Sequence, residues 1–146
     1  MKTIYYYQTF CGLTKLFSHI QDIDVVIISS IHFGILNNQS YIHLNNHSPT
    51  DEIFNNVWYE CEKISAQGVE ILIMVGGAGG AYEYLFSNFD KYYPMLKKLI
   101  SSKSFIKGID IDIEDSVDPK NVEKLIQKLK FNLGLEIGQY WTEDDI

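Results

Sequence analysis

"FIKGIDIDIED", residues 105–115, sets acids at alternate places in a run that is otherwise apolar. Successive side chains of an extended strand point to opposite faces, so Ile109, Ile111 and Ile113 share one face and Gly108, Asp110, Asp112 and Glu114 the other. The isoleucine face is expected to pack against helices, which leaves three carboxylates rising along one line. In an antiparallel sheet such alternation marks a solvated face, but a central parallel strand is covered on both sides. Acids there repel one another and lose water, and both effects raise a carboxyl pKa, so at least one of them is expected to hold a proton near neutral pH. Glu114, nearest the strand's carboxyl end, is placed to donate that proton to a ligand above the sheet. A calcium loop does not fit, because no glycine follows the acids at the required place and the twelfth position is Asn121 instead of Glu.

Outward from this stretch the chain alternates strands and helices. "TIYYYQTF" and "DVVIISSIHFG" are β-branched and aromatic runs, the second apolar enough to be buried on both faces. "ILNNQSYIHLNNH" reads as a small hairpin or excursion around Asn-Asn-Gln. In "SPTDEIFNNVWYECEKISAQG" Ser48 is the expected N-cap and Gly68 the stop, with Ile53, Val57, Cys61 and Ile64 on one helical face. "VEILIMVGG" is the third strand. "YEYLFSNFDKYYPMLKKLISSK" is a helix with a break or restart expected at Pro94, and its Tyr92-Tyr93 pair, like Trp58, is expected to pack. "DPKNVEKLIQKLK" is an amphipathic helix capped by Asp118, with Pro119 at its first position. "FNLGLEI" is a weak fifth strand, followed by a polar tail that contains Trp141. The rhythm predicts one domain over 1–146, a parallel sheet with right-handed crossovers, and a site at the carboxyl ends of the strands.

Composition narrows the function. The 146 residues are 46% hydrophobic, enough for one core, and the formal charge of −7 leaves no basic footprint for nucleic acid. The two cysteines, Cys11 and Cys61, form neither a C-x-x-C pair nor a disulfide framework. His43 and His47 have metal-like spacing but lie in an Asn-rich loop with no second pair, so no metal and no cofactor is expected, while His32 stands where a cleft or rim histidine would. No stretch approaches membrane-spanning length and the N-terminus lacks the apolar run of a signal peptide, so the chain reads as soluble and cytoplasmic. "MVGGAGGAY", residues 74–82, fails the G-x-G-x-x-G register, because the sixth residue from Gly77 is Tyr82. Gly76 and Gly77 are read instead as a tight turn where a ligand or neighbouring strand comes close.

Taken together, Gly108, Asp110, Asp112 and Glu114, preceded by the Gly76-Gly77 pair, resemble the strand motifs of the family-18 glycoside hydrolases, the chitinases and endo-N-acetylglucosaminidases. Tyr6 and Phe33 are similar to the aromatics that end the family's first two strands and line its sugar cleft. The resemblance covers strands one to four. It implies an α/β fold of the (β/α)8 barrel type, a partial catalytic domain, and an N-acetylglucosamine-containing oligosaccharide or polysaccharide as partner. It also implies hydrolysis of β-1,4 bonds with retention, in which the substrate's own acetamido oxygen attacks the anomeric carbon. Glu114 would be the acid, Asp112 the partner of the acetamido N–H, and Asp110 the carboxyl that shares its proton; Gly76 and Gly77 would lie against substrate. Lys107 stands where the family has an acid, Met74 where it has Ser, and Ala78 where an aromatic often follows. A full barrel needs about 250 residues, so this chain holds only about four to five βα units and is expected to have open sheet edges prone to self-association. A non-catalytic oligosaccharide-binding relative is one alternative. An open doubly wound signalling domain is another, although its acids should gather at the ends of the first and third strands, which here carry none.

Overall fold

The computed structural model describes residues 2–8, 12–77 and 79–138. They form one six-stranded sheet: β1 (Ile4–Tyr7), β2 (Val25–Leu36), β3 (Gln39–Leu44), β4 (Glu70–Gly76), β5 (Ile106–Asp112) and β6 (Glu136–Gly138). The order is β1-β2-β4-β5-β6 with every neighbouring pair parallel, and β3 folds back antiparallel on β2. The expected βα rhythm is therefore present, and the sheet is that of a (β/α)8 barrel left incomplete. β3 is the excursion read from the Asn-Asn pair: Asn37 and Asn38 adopt φ of 50° and 62°, the left-handed conformation a two-residue hairpin turn requires and Asn tolerates.

Helices α1 (Asn55–Ala66), α2 (Ala81–Ser87), α3 (Phe89–Ser101) and α4 (Pro119–Leu133) supply the crossovers. Val57, Cys61 and Ile64 of α1 are buried as their spacing requires. Ile53, expected beside them, is exposed, because residues 52–54 form a tighter 3-10 turn that takes it off the helical period and buries Phe54 instead. The cap of that turn is Asp51, whose carboxylate accepts from the Ile53 N–H at 3.0 Å; Ser48 pairs with Thr50 instead. The break in the next segment falls at Asn88 and not at Pro94, which sits inside α3. There its missing N–H costs the single bond to the Asp90 carbonyl, and the helix runs on to Ser101. Asp118 caps α4 through the Lys120 N–H at 2.9 Å with Pro119 behind it, as the sequence indicates, and α4 continues through Leu133 to the left-handed Gly134. A 3-10 helix over Thr14–Asp22 fills the connection between β1 and β2.

The sheet has two differently filled faces. Toward the helices, Val26, Ile28, Ile31, Ile71, Ile73, Val75, Ile109 and Ile111 join one continuous core with α1, α3 and α4. On the inner face, Val25, Ile27, Leu72 and Met74 form a separate small cluster with Ile4 against it. Trp58 and the Tyr92-Tyr93 pair pack in the helix-side core, the Trp58 N–H donating to the Pro49 carbonyl at 3.1 Å. Among the described residues no helix is long and apolar enough to cross a membrane. Trp141 and the rest of the tail lie outside the described residues, as do Cys11 and Ala78.

Candidate active site

β5 carries its two strand acids on the inner face, and the register sets their neighbours: Gly108 pairs with Leu72, Asp110 with Met74, and Asp112 with Gly76. Ile109 and Ile111 occupy the helix side, 0% and 1% exposed, and Ile113 packs part-buried against the same core. The alternation read from the sequence therefore places the side chains as expected. Two points differ. The strand ends at Asp112, so Glu114 stands two residues beyond it in an exposed position. And the acid that the structure drives toward its protonated form is Asp110, 4% exposed, pushed up to about 6 by its burial and by the charge of Asp112, against a hydrogen bond from Tyr6 that pulls the other way.

The double glycine is where the acids meet. A Cβ on Gly77 would lie 3.6 Å from Asp112 Oδ2 and 4.0 Å from Glu114 Oε1, so both carboxylates converge over its bare Cα. Its N–H donates to the Asp112 carbonyl at 3.0 Å, and its φ of 91° is one that side chains avoid. Gly76 is required more strictly. A Cβ there would stand 2.1 Å from the Asp112 carbonyl oxygen and 2.4 Å from the Tyr82 ring.

Two recesses flank this point. A groove of about 670 Å³ runs along the carboxyl ends of β1 and β2, lined by Gln8, His32, Tyr41, His43, Gly79 and Tyr84 among others, and a smaller recess of about 410 Å³ is lined by Gly80, Tyr82, Glu83, Asp115 and Asp118. The turn at 79–80 contributes to both. In the groove the rings of Tyr41 and His43 stack at 3.9 Å. His32, hydrogen-bonded to Ser30 Oγ at 2.8 Å, has a lowered pKa through burial and the neighbouring His43, so it is neutral at pH 7. Tyr6 lies half in solvent on the inner face and reaches Asp110. Phe33 is different: it is 2% exposed, packed edge to face on Tyr92 at 5.5 Å, and only its margin borders the groove. Tyr41 was not singled out from the sequence, and His43 was weighed only with His47 as a metal pair. The signal was there in β3, where Tyr41 and His43 alternate with Ile42 and Leu44. Among the described residues no group of three His, Cys, Asp or Glu side chains is arranged to hold a metal ion.

A parallel sheet of barrel type, with carboxylates on its inner face and a glycine pair beneath them, is the fold of the family-18 glycoside hydrolases, here in part. The chain superposes on a chitinase from Aspergillus fumigatus with a TM-score of 0.83 and 28% identity, over 93% of this chain and 52% of that one. It superposes on a fungal endo-β-N-acetylglucosaminidase of glycosyl hydrolase family 18 with a TM-score of 0.79 and 25% identity, over 94% and 53%. A family-18 chitinase from Pseudoalteromonas aurantia, 22% identical with a TM-score of 0.71, shares the fold over 94% of this chain and 55% of its own. The chain thus spans about half the length of the structures it matches. No family model and no curated protein matches the sequence.

Proposed function

We propose that this chain is the acid-bearing half of a glycoside hydrolase that cleaves β-1,4 bonds beside N-acetylglucosamine in chitin or related glycans. The observation that carries this reading is the convergence of Asp112 and Glu114 over Gly77, with a proton-holding Asp110 one step below on the same strand face. Glu114 protonates the glycosidic oxygen as the bond to the anomeric carbon breaks, and the substrate's acetamido oxygen attacks that carbon. Asp112, as an anion, accepts the acetamido N–H and offsets the positive charge of the cyclic intermediate. Water then attacks the anomeric carbon and returns its proton to Glu114, with retention. Asp110 shares its proton with Asp112 as that charge grows and fades. Tyr6 holds Asp110, Gly77 lets substrate approach the backbone, and Gly76, expected to do the same, instead makes room for the Asp112 carbonyl and the Tyr82 ring. Phe33 serves as wall more than as platform.

Turnover by the 146 residues alone is expected to be weak, since a misplacement of about 1 Å can cost on the order of a hundredfold and the sheet holds only part of a barrel. The outer edges of β1 and β6 pair with no strand among the described residues, which favours self-association there. The test is an assay of the purified chain on a fluorogenic chitotrioside beside Glu114→Gln. Turnover, however slow, that disappears in Glu114→Gln supports the mechanism. Turnover indifferent to that substitution refutes it, and chitotriose binding without any turnover in either protein makes the chain a binding module.

A further inference from the structure

The carboxyl ends of β4 and β5 are tied by a side chain that belongs to neither strand. Tyr82, in the first turn of α2, is 1% exposed, and its hydroxyl donates to the Val75 carbonyl in a short hydrogen bond. The same phenol receives a hydrogen bond from the backbone of Asp112, and it senses the charges of both Asp112 and Asp110. Its ring lies flush against the Cα of Gly76, where a Cβ would come within 2.4 Å of it. Thus one phenol touches the residue before the glycine pair, the first glycine, and the acid on the neighbouring strand.

We propose that Tyr82 is a positioning residue for the acid ladder: by bridging Val75 and Asp112 at the strand ends it fixes where the Asp112 carboxylate stands relative to Asp110 below and Glu114 beyond. Burial keeps the phenol in its neutral, donating form, with a pKa driven well above its ordinary value first by desolvation and then by the two aspartates. Gly76 is then explained from the other side, because a side chain there would displace the ring. Asp112 lies at the last position of β5, where its carbonyl accepts from the Gly77 N–H and the phenol adds a second tie at the end of the ladder. The inference deepens the functional reading above and rests on it only for the use of the ladder, since the placement of Asp112 is testable without catalysis.

The experiment is carboxyl and phenol ¹³C NMR titration of the full chain, comparing wild type, Tyr82→Phe and Tyr92→Phe. Tyr92 is a matched control, a buried tyrosine whose hydroxyl donates to the Gly34 carbonyl at 3.0 Å, away from the acids. Tyr82→Phe keeps the ring and frees Asp112 to move, so the Asp110 midpoint, held up in part by Asp112, should fall by on the order of half a pH unit. Tyr92→Phe should leave it unchanged. In wild type, where no variant has to fold, the Tyr82 Cζ shift should follow the Asp110 titration while that of Tyr92 stays flat. An unchanged or raised Asp110 midpoint, an equal shift in the control, or a Tyr82 Cζ that ignores the titration overturns the proposal. Chitotriose shift perturbations recorded on the same samples separate the two readings. A ladder that depends on Tyr82 but never meets the sugar leaves this inference standing and sinks the carbohydrate one.

Discussion

On the helix side of β5, Ile109 and Ile111 are enclosed in the continuous apolar core; on the inner side of the same strand Asp110 is almost as fully enclosed, at 4% exposure, yet carries a titratable carboxyl with another beside it. Equal burial has opposite consequences on the two faces. Removing water from an isoleucine stabilises the fold by about 1.5 to 3 kcal/mol, whereas removing it from a carboxylate opposes folding unless the group keeps its proton. The strand is thus anchored from one side and strained from the other, and the strained side is the one that faces a ligand.

The largest effect should come from loosening the anchor. Ile109→Ala removes buried methyl groups from a close-packed core, and is expected to cost about 2 to 5 kcal/mol in urea unfolding, with the loss independent of pH. A cost below about 1 kcal/mol would mean that the helix side tolerates a void and is no anchor.

Asp110→Asn, on the opposite face, should have a smaller effect of the other sign, and one that depends on pH. The folded-state pKa is raised from 3.8 to about 6, so between these values the native state binds more protons than the unfolded chain and stability falls as pH rises. The penalty is complete above the folded pKa and absent below the unfolded one. Relative to wild type, Asp110→Asn should therefore gain up to roughly 3 kcal/mol at pH 8 and nothing at pH 3. A substitution that destabilises equally at both pH values would show that Asp110 is held as an anion by its partners. That would put the shared proton elsewhere on the ladder.

These two faces also mark what the residues reveal unaided. The alternation of Ile and acid along 109–112 places those side chains, because period two is a property of the extended backbone, whereas the register shift between Ile106 and Gly108, which brings Ile106 into the same helix-side core as Ile109, leaves no mark in the pattern. Asn37-Asn38 and Asp118-Pro119 were legible for a similar reason: each is a local conformational preference that the tertiary structure had no cause to override. What could not be read depended on distance through space. The break at Asn88 yields nothing to pattern reading, while Pro94, a stronger signal, is absorbed by its place in α3. Phe33 reads as a cleft aromatic but its face of β2 turns to α3 and Tyr92. The rank of the acids was hidden too, since Asp110 and Glu114 look alike in sequence and differ in how much protein covers them. Tyr82 was noticed only as the residue that spoils a glycine motif, and its bridge between two strand ends has no one-dimensional trace.

The smallest effect tests whether the inner face tolerates polar burial in general or only at the acids. Ser29 lies on β2 two residues after Ile27 of the inner cluster, at the start of the register shift between Ile28 and Ile31. It is 3% exposed, and its hydroxyl has no hydrogen-bond partner among the described residues. Burying a hydroxyl without a partner costs about 1 to 3 kcal/mol, while deleting one oxygen leaves a void too small to cost as much. Ser29→Ala should therefore leave stability unchanged or raise it by up to about 1 kcal/mol, read as a small upward shift in thermal midpoint. The Asp110 titration should not move. If the variant is instead destabilised by more than about 1 kcal/mol, the hydroxyl is bonded in solution. If it also shifts Asp110, that bond leads to the ladder, and the polar side of the sheet begins at β2 instead of β5.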